Sequence, residues 1–294
     1  MTNKYLKDPR TLYHTEGYHE PDRDTPATQN KMQFVPDCGE KSYVGNGKLE
    51  GRNALITGGD SGIGRAAAIA FAREGANVAI QYVAGEEADA EAVRDLIEAE
   101  GRKALIIPAD LREEGAGAEI VEKTVEAFGA LDILVLNSAQ QIISESLEDL
   151  PMEQVRDTMN INIISMFESV KAAEKYLEPG ATIITTSSMQ AFAPTAKLLD
   201  YATSNGAVAT FTKGLSEYFA PKGIRANSVI PGPIWTPLQL DQGNDDIENF
   251  GQTQPLGRSG QPVELASLYV FLASNDSSYV TGQLYGITGG ARMI

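Results

Sequence analysis

A glycine-rich run between a short apolar segment and a long alanine-rich segment constrains this chain more than any other feature. It reads Thr-Gly-Gly-Asp-Ser-Gly-Ile-Gly and occupies residues 57–64. The apolar segment 53–57 is typical of a buried strand, and the segment that begins at Gly64 is typical of a helix packed on a sheet. Glycines on the turn between them permit a tight turn and bring backbone N–H groups close to an anion. A glycine run can also mark an ordinary turn, but the strand before it and the helix after it favour a site for a dinucleotide pyrophosphate at the helix N-terminus.

Composition limits the possible classes of protein. The 294 residues can form one large core or at most two modest ones, and 42% apolar with 22% charged residues is ordinary for a globular protein. The formal net charge of −16 argues against nucleic acid and anionic membranes as partners. The N-terminus has no apolar signal region, and no stretch approaches the ~20 apolar residues of a membrane span. We therefore expect a cytoplasmic protein.

Cysteine and histidine are too scarce for several kinds of site. The single cysteine, Cys38, excludes an intramolecular disulfide and a thiolate metal cluster. The two histidines, His14 and His19, both lie in the N-terminal tail. A catalytic histidine dyad or a multi-histidine zinc site in the core is therefore not expected.

Beyond Lys48, apolar strands alternate with helical segments. This alternation predicts a doubly wound α/β fold, with a parallel sheet of about seven strands and helices on both faces. We expect residues 51–294 to form one dinucleotide-binding catalytic domain and residues 1–50 a polar extension. The predicted strands are 53–57, 78–83, 103–108, 131–137, 181–187, 225–230 and 284–288, and the predicted helices lie near 62–74, 86–100, 113–128, 151–177, 202–220 and 262–273.

The extension allows two interpretations. It is polar and proline-rich without periodicity, and composition alone favours a disordered tail. Its few apolar residues could instead dock on a neighbouring subunit; they are Met32, Phe34, Val35, Tyr43 and Val44.

Ligands of such sheets bind beyond the carboxyl ends of the strands. The second predicted strand ends without an acid for a ribose 2′-hydroxyl and without an arginine for a 2′-phosphate, so NAD and NADP both stay open. Tyr82 there either flanks the adenosine or is a strand-end aromatic residue. Asp110, after the third strand, either accepts from the adenine amino group or caps the next helix.

Three motifs, in order and spacing, resemble the short-chain dehydrogenase/reductase family over about residues 48–294. They are the glycine run, Ser188 thirteen residues before Tyr201, and Pro231-Gly232 after the next strand. Together with the tail that ends in Tyr43-Val-Gly-Asn-Gly-Lys-Leu, they resemble its N-terminally extended bacterial branch of glucose/ribitol dehydrogenase-like proteins and aldehyde reductases. The resemblance implies a Rossmann fold, NAD or NADP as cofactor, a small carbonyl or alcohol substrate, and a homotetramer.

The resemblance also implies roles for individual residues. Ser188 would polarise a substrate carbonyl, Tyr201 would donate its phenolic proton, and Asn162 would hold a water in the proton relay. Ile234 and Thr236 would hold the nicotinamide carboxamide, and Asn137 would lie near the adenosine ribose. The cofactor-binding residues implied in all are Gly58, Asp60, Ser61, Gly62, Ile63, Gly64, Tyr82, Asp110, Leu111, Asn137, Ala139, Tyr201, Pro231, Gly232, Ile234 and Thr236.

The chain departs from the family where a lysine normally follows the tyrosine by four residues, because Asn205 stands there. A lysine so placed shares a helix face with the tyrosine and lowers the pKa of the phenol. Its absence predicts turnover lower by roughly 10²–10⁴-fold. Three explanations of Asn205 stay open: an engineered substitution, a natural loss of activity, or chemistry that tolerates a weaker base. The alternative function is that of a dinucleotide-binding protein without turnover.

Neither nearby lysine is expected to substitute. Lys197 lies in the loop before Tyr201, and Lys213 lies two helical turns beyond Asn205. Leu136 is a lesser departure, since the family usually has asparagine there. Gln140, Gln141 and Gln190 favour a polar substrate or are surface glutamines, and the polar segment 238–254 suits a mobile lid.

Overall fold

The computed structural model describes residues 6–20, 26–241 and 247–293, and its centre is a parallel sheet of seven strands. The strand order is β3-β2-β1-β4-β5-β6-β7, and every neighbouring pair is parallel. The predicted doubly wound sheet is therefore confirmed. The strands are β1 (Asn53–Thr57), β2 (Asn77–Tyr82), β3 (Ala104–Pro108), β4 (Ile133–Leu136), β5 (Thr182–Thr186), β6 (Arg225–Pro231) and β7 (Leu284–Ile287).

Helices cover both faces of the sheet. The apolar sides of α1, α2 and α8 form one core with the sheet, and α3, α5 and α6 form a second core on the opposite face. Two covered faces explain the nearly continuous apolar strands, because no side chain of a central strand faces solvent. The helices are α1 (Gly62–Arg73), α2 (Glu87–Ala99), α3 (Ala116–Phe128), α4 (Met152–Met159), α5 (Ser165–Ala173), α6 (Leu199–Phe219), α7 (Leu238–Asp241) and α8 (Val263–Ala273).

The helix predicted over 151–177 is interrupted. A π-helical turn, Asn160–Ile164, separates α4 from α5, and the helical region ends at Ala173. Such single π turns often occur at functional sites. Hydrophobic periodicity did not reveal this turn.

The described parts of the extension, residues 6–20 and 26–50, pack on the rest of the chain, which corrects the expectation of a disordered tail. Tyr18 stacks on Trp235 with ring centroids 3.6 Å apart, and both side chains are buried. These two rings and the buried side chain of Met32 belong to a third apolar cluster, separate from the two cores on the sheet. Val35 and Val44, by contrast, are exposed. Composition misled here because a few large side chains and many backbone hydrogen bonds hold the segment.

The order of the strands determines where a ligand can bind. β1 lies between β2 and β4, so successive connections leave it toward opposite sides of the sheet. A crevice opens at such a switch point, outside the carboxyl ends of the strands. Within the described residues, no helix combines the length and apolar character that a membrane span needs.

Candidate active site

A cleft of about 820 Å³ lies at the carboxyl ends of the strands. Segments after β1, β2, β3, β4, β5 and β6 contribute to its wall, so residues distant in sequence meet there. Most residues assigned from the sequence line this cleft: Gly58, Asp60, Ser61, Gly62, Ile63, Tyr82, Asp110, Leu111, Asn137, Ala139, Ser188, Tyr201, Asn205, Pro231, Gly232, Ile234 and Thr236.

Two assigned residues lie behind the wall of the cleft. A Cβ added to Gly64 would lie 1.9 Å from the backbone oxygen of Gly58, so this glycine permits close packing of α1 on the loop. Asn162 accepts from the backbone N–H of Gln140 at 2.8 Å and donates to its carbonyl at 3.1 Å. Its side chain therefore fixes the loop after β4. Its predicted role in a proton relay stays a prediction.

The glycine loop is held by a glutamine that the sequence analysis missed. The Oε1 atom of Gln81 accepts from Gly58 N at 3.0 Å and from the Ser138 hydroxyl at 2.9 Å. Its Nε2 atom donates to the carbonyl of Ala109 at 2.8 Å. Gln81 thus joins the ends of three strands. The available signal was a polar residue at the end of an otherwise apolar strand.

The wall of the cleft suits a pyrophosphate held by backbone groups. Among the described lining residues, Arg112 is the only lysine or arginine, and its guanidinium forms an ion pair with Asp110 at 2.5 Å. An anion would therefore depend on the N-terminus of α1. Gly62, with a φ of +51°, lets the loop pack against Thr236, because a Cβ there would lie 2.9 Å from Thr236 Cγ2.

Asp110 does not cap the following helix, so that alternative is wrong. Helix α3 begins at Ala116 with Gly115 as its N-cap residue. The Asp110 carboxylate instead accepts from the backbone N–H of Arg112 at 3.0 Å and from its guanidinium. Hydrogen bonding to the Arg112 side chain holds the pKa of Asp110 below its usual value. Contact with adenine stays a prediction.

Three further acids line the cleft, namely Asp60, Glu86 and Asp241, and burial raises the pKa of each above its usual value. Asp60 is 2% exposed, and its Oδ2 atom has no hydrogen-bond partner. Burial raises the pKa of Asp60 to about 6. Burial, followed by repulsion from Asp60, raises the pKa of Glu86 to about 8. Glu86 is therefore largely protonated at neutral pH, and its loop position gave no sequence signal of this.

The opposite end of the cleft brings the predicted catalytic side chains together. Ser188 follows β5, Tyr201 lies in the first turn of α6, and Asn205 lies one turn further along. All three are buried and line the cleft. Burial raises the pKa of the Tyr201 phenol above its usual value, and hydrogen-bonding interactions with Ser188 and then Asn205 counteract this only in part.

Asn205 is engaged with its own helix. Its side-chain Nδ2 atom donates to the backbone carbonyl of Tyr201 at 2.9 Å. The backbone carbonyl of Asn205 accepts from the Ser187 hydroxyl at 2.9 Å. Lys197 forms an ion pair with Glu145 on the surface, and Lys213 is exposed. The described part of the chain therefore places no lysine in the wall of the cleft beside Tyr201.

Three glutamines contribute to the wall of the cleft beside apolar side chains. The three glutamines singled out from the sequence, Gln140, Gln141 and Gln190, all line it. Segments on both sides of residues 242–246 also contribute, including Leu238, Phe250 and Gln254. Residues 242–246 of the predicted lid lie outside the described residues.

Comparisons with known proteins agree with this geometry. A family model described as enoyl-(acyl carrier protein) reductase matches residues 58–292. The oxidoreductase YhxD of Bacillus subtilis (strain 168) is 53% identical over 295 residues, which cover 99% of this chain and 99% of the relative. The chloroplastic NADPH-dependent aldehyde reductase 1 of Arabidopsis thaliana is 42% identical, covering 90% of this chain and 95% of that protein.

A solved structure supports the same assignment. The crystal structure of a short-chain dehydrogenase from Burkholderia cenocepacia J2315 in complex with NADP matches with a TM-score of 0.78 and 34% sequence identity, covering 83% of this chain and 98% of that one. The chain belongs to the short-chain dehydrogenase/reductase family. It is an oxidoreductase of the NAD- or NADP-dependent class, as the glycine loop predicted.

Proposed function

We propose that this protein reduces a small carbonyl compound, or oxidises the corresponding alcohol, with Ser188 and Tyr201 as its catalytic residues. Sugars, polyols and aldehydes are the proposed substrates. The observation that carries the proposal is the convergence of these two buried hydroxyl groups on one cleft, whose far wall is the glycine loop. The glutamines that line the cleft and the family relationship to an aldehyde reductase support the substrate class.

The proposed cofactor site uses the residues assigned from the sequence. Gly58, Gly62 and Ile63 would line the pyrophosphate, with the backbone N–H of Ile63 as donor, because the N–H groups of Gly58 and Gly62 already donate to Gln81 and Gln29. Gly64 lets α1 pack closely behind them. Tyr82 and Asp110 would lie beside the adenosine, and Ile234 and Thr236 beside the carboxamide. When bound, the nicotinamide supplies or accepts the hydride.

Two side chains then serve the substrate oxygen. The Ser188 hydroxyl donates a hydrogen bond to the carbonyl, and the Tyr201 phenol transfers its proton to the oxygen as negative charge develops there. In the reverse direction, a Tyr201 phenolate accepts the alcohol proton. Asn162 would act behind them by ordering a water in the proton path.

Asn205 lowers the rate of this chemistry in our proposal. A buried phenol without a neighbouring cation keeps its proton, because burial disfavours the phenolate. The amide of Asn205 donates to the Tyr201 backbone and brings no charge to the phenol. We expect turnover about 10²–10⁴-fold below that of a chain with lysine at this position.

The test compares Asn205→Lys with the unmodified chain. The absorbance of NADH and NADPH is followed over a panel of aldehydes, sugars and polyols. It falls when the reduced cofactor is oxidised and rises when it is formed. Thr203→Lys is the matched control, because Thr203 is exposed on the same helix and a lysine there stays in solvent. Rescue by Asn205→Lys and not by Thr203→Lys supports the proposal, whereas nucleotide binding without turnover in all three proteins contradicts it.

The second candidate is a dinucleotide-binding protein without turnover, which acts as a sensor or an assembly subunit. The departure at Asn205 favours it, since the described wall of the cleft has no cation near Tyr201. The two functions differ in whether Tyr201→Phe changes any measured rate in the unmodified chain.

We also propose a homotetramer in the cytoplasm. Met152, Ile164 and Phe167 on the α4–α5 region are 59%, 48% and 52% exposed, and Tyr218 on α6 is 55% exposed. Exposed apolar patches of this kind mark contacts between subunits. Light scattering after size-exclusion chromatography tests the assembly, and a monomeric mass would contradict it.

A further inference from the structure

The N-terminal extension reaches the glycine loop through one side chain. The Oε1 atom of Gln29 accepts a hydrogen bond from the backbone N–H of Gly62 at 2.9 Å. Gln29 is 1% exposed, and the two residues are 33 positions apart in the sequence. Gly62 is the first residue of α1 and lines the cleft. The extension therefore contacts the segment proposed to hold the cofactor pyrophosphate.

This hydrogen bond replaces a missing helix cap. The first N–H groups of a helix have no partner within the helix, and a capping side chain normally satisfies one of them. Ser61 occupies the N-cap position of α1, but its side chain makes no capping hydrogen bond. Gln29 provides the acceptor instead. Removing it would leave a buried N–H group without a partner, which is costly.

A second extension residue holds the other side of Gly62. The Cys38 thiol donates to the carbonyl of Gly62 at 3.4 Å, and Gln29 Nε2 donates to Cys38 Sγ at 3.4 Å. Burial raises the pKa of Cys38, so the thiol stays protonated and remains a donor. The N–H and the C=O of Gly62 are thus both fixed from outside the loop. Gly62 has a positive φ, which glycine adopts without strain, so its side of the turn is held by these hydrogen bonds and not by a side chain of its own.

The extension is itself anchored where it meets the cleft. The backbone N–H groups of Gln29 and Asn30 donate to the carboxylate of Asp89 at 2.6 and 3.1 Å. The N–H of Ala27 donates to Asp241 Oδ1 at 2.8 Å, and Ala27 lines the cleft beside Pro26. These contacts join α2, α7 and the glycine loop through one short segment. Gln29 is therefore held in place before any ligand arrives.

We propose that Gln29 is a positioning residue for the cofactor, which acts by fixing Gly62 so that the following amide of Ile63 points into the cleft. This inference rests on one part of the proposed function, the binding of a nicotinamide dinucleotide, and does not depend on turnover. It gives the extension a role in cofactor binding, through a residue that lies outside the glycine motif. Pre-organised N–H groups bind an anion without the cost of ordering the loop.

The test measures nucleotide binding, independently of turnover. Gln29→Ala is titrated with NADH by fluorescence, and adenosine, which lacks the pyrophosphate, is titrated in competition. We expect the Kd of NADH to rise about tenfold, as for loss of a buried cap, while the Kd of adenosine changes less than about twofold. Gln33→Ala is the matched control, since Gln33 is an exposed glutamine of the same extension.

A second variant guards against a simple loss of folding. Gln29→Glu keeps an acceptor for the N–H of Gly62 but introduces a carboxyl group beside the loop. Its affinity for NADH should approach that of the unmodified chain at low pH and fall as the carboxyl ionises, while Gln33→Glu shows no such dependence.

The outcomes separate the two ideas. Unchanged NADH affinity in Gln29→Ala, or equal loss of NADH and adenosine affinity, overturns the positioning role. NADH affinity in Gln29→Glu no better than in Gln29→Ala at any pH overturns it as well, because the glutamate keeps the acceptor for Gly62. If the unmodified chain binds neither NADH nor NADPH, the proposed function fails, and the role of Gln29 fails with it.

Discussion

The two ends of the cleft are built differently. At the glycine loop, we propose that backbone N–H groups bind the cofactor, and side chains from distant segments fix the loop, including Gln29 and Gln81. At the catalytic end, the proposed chemistry depends on two hydroxyl groups and on the charge next to one of them, where Asn205 supplies none. Binding of the cofactor and turnover would therefore have separate determinants in this chain. One substitution can impair the second while the first persists.

The largest expected effect comes from removing the phenol. Tyr201→Phe should lower the remaining turnover by roughly 10²–10⁴-fold, because the proton donor is lost. The Kd of NADH should change far less than the turnover, since the glycine loop is untouched. Steady-state rates and fluorescence titration measure the two quantities. Equal turnover in Tyr201→Phe would show that the catalytic end has been assigned to the wrong side chain.

Gly64→Ala should have the next largest effect, at the other end of the cleft. The added Cβ would lie 1.9 Å from the Gly58 oxygen, so α1 or the loop has to move. Overpacking of this kind costs about 1–3 kcal/mol, and we expect a lower melting temperature and a Kd for NADH at least about fivefold higher.

A matched glycine provides the control for that variant. Gly214 lies in α6 with no atom near the position of an added Cβ. Gly214→Ala should leave NADH binding unchanged and raise the melting temperature slightly, because alanine favours helix. Equal behaviour of the two alanine variants would argue against a packed loop.

The pH profile tests the charge at the catalytic end. Because burial raises the pKa of Tyr201, alcohol oxidation by the unmodified chain should still be rising with pH at the alkaline limit of the assay. In Asn205→Lys a cation beside the phenol favours the phenolate, and the rising limb of kcat/KM should move about 1–3 pH units lower. Thr203→Lys should keep the original profile. A common profile for all three proteins would mean that Tyr201 does not control the rate.

The smallest expected effect concerns the choice of cofactor. With pKa values of about 6 for Asp60 and about 8 for Glu86, both carboxyl groups gain negative charge as pH rises from 6 to 9. NADPH carries an additional phosphate, so its affinity should fall a few-fold more than that of NADH over this range. Glu86→Gln should flatten this dependence. Glu87→Gln should not, because Glu87 is exposed and backbone hydrogen bonds keep its pKa low.

Sequence patterns predicted most of the fold because their causes are local. Apolar strands between helices gave all seven strands to within a few residues, and the glycine run gave the turn between β1 and α1. Most assigned site residues meet in one cleft, because the carboxyl ends of parallel strands share an edge. The π-helical turn at Asn160–Ile164 was not predicted. The side chain of Asn162 in this turn is hydrogen-bonded to the loop after β4, which is distant in sequence.

The site and the extension also have features that follow from the sequence alone and features that depend on the tertiary structure. By itself, the sequence determined the strand–helix alternation, the glycine loop, the pair Ser188 and Tyr201, and the absence of the family's lysine at Asn205. Only the tertiary structure decided that the extension folds back, that Gln29 caps α1, and that Asp60 and Glu86 line the same cleft. The reason is physical: periodicity and turn chemistry act between near neighbours, whereas burial, capping and shared charge depend on residues that the fold brings together.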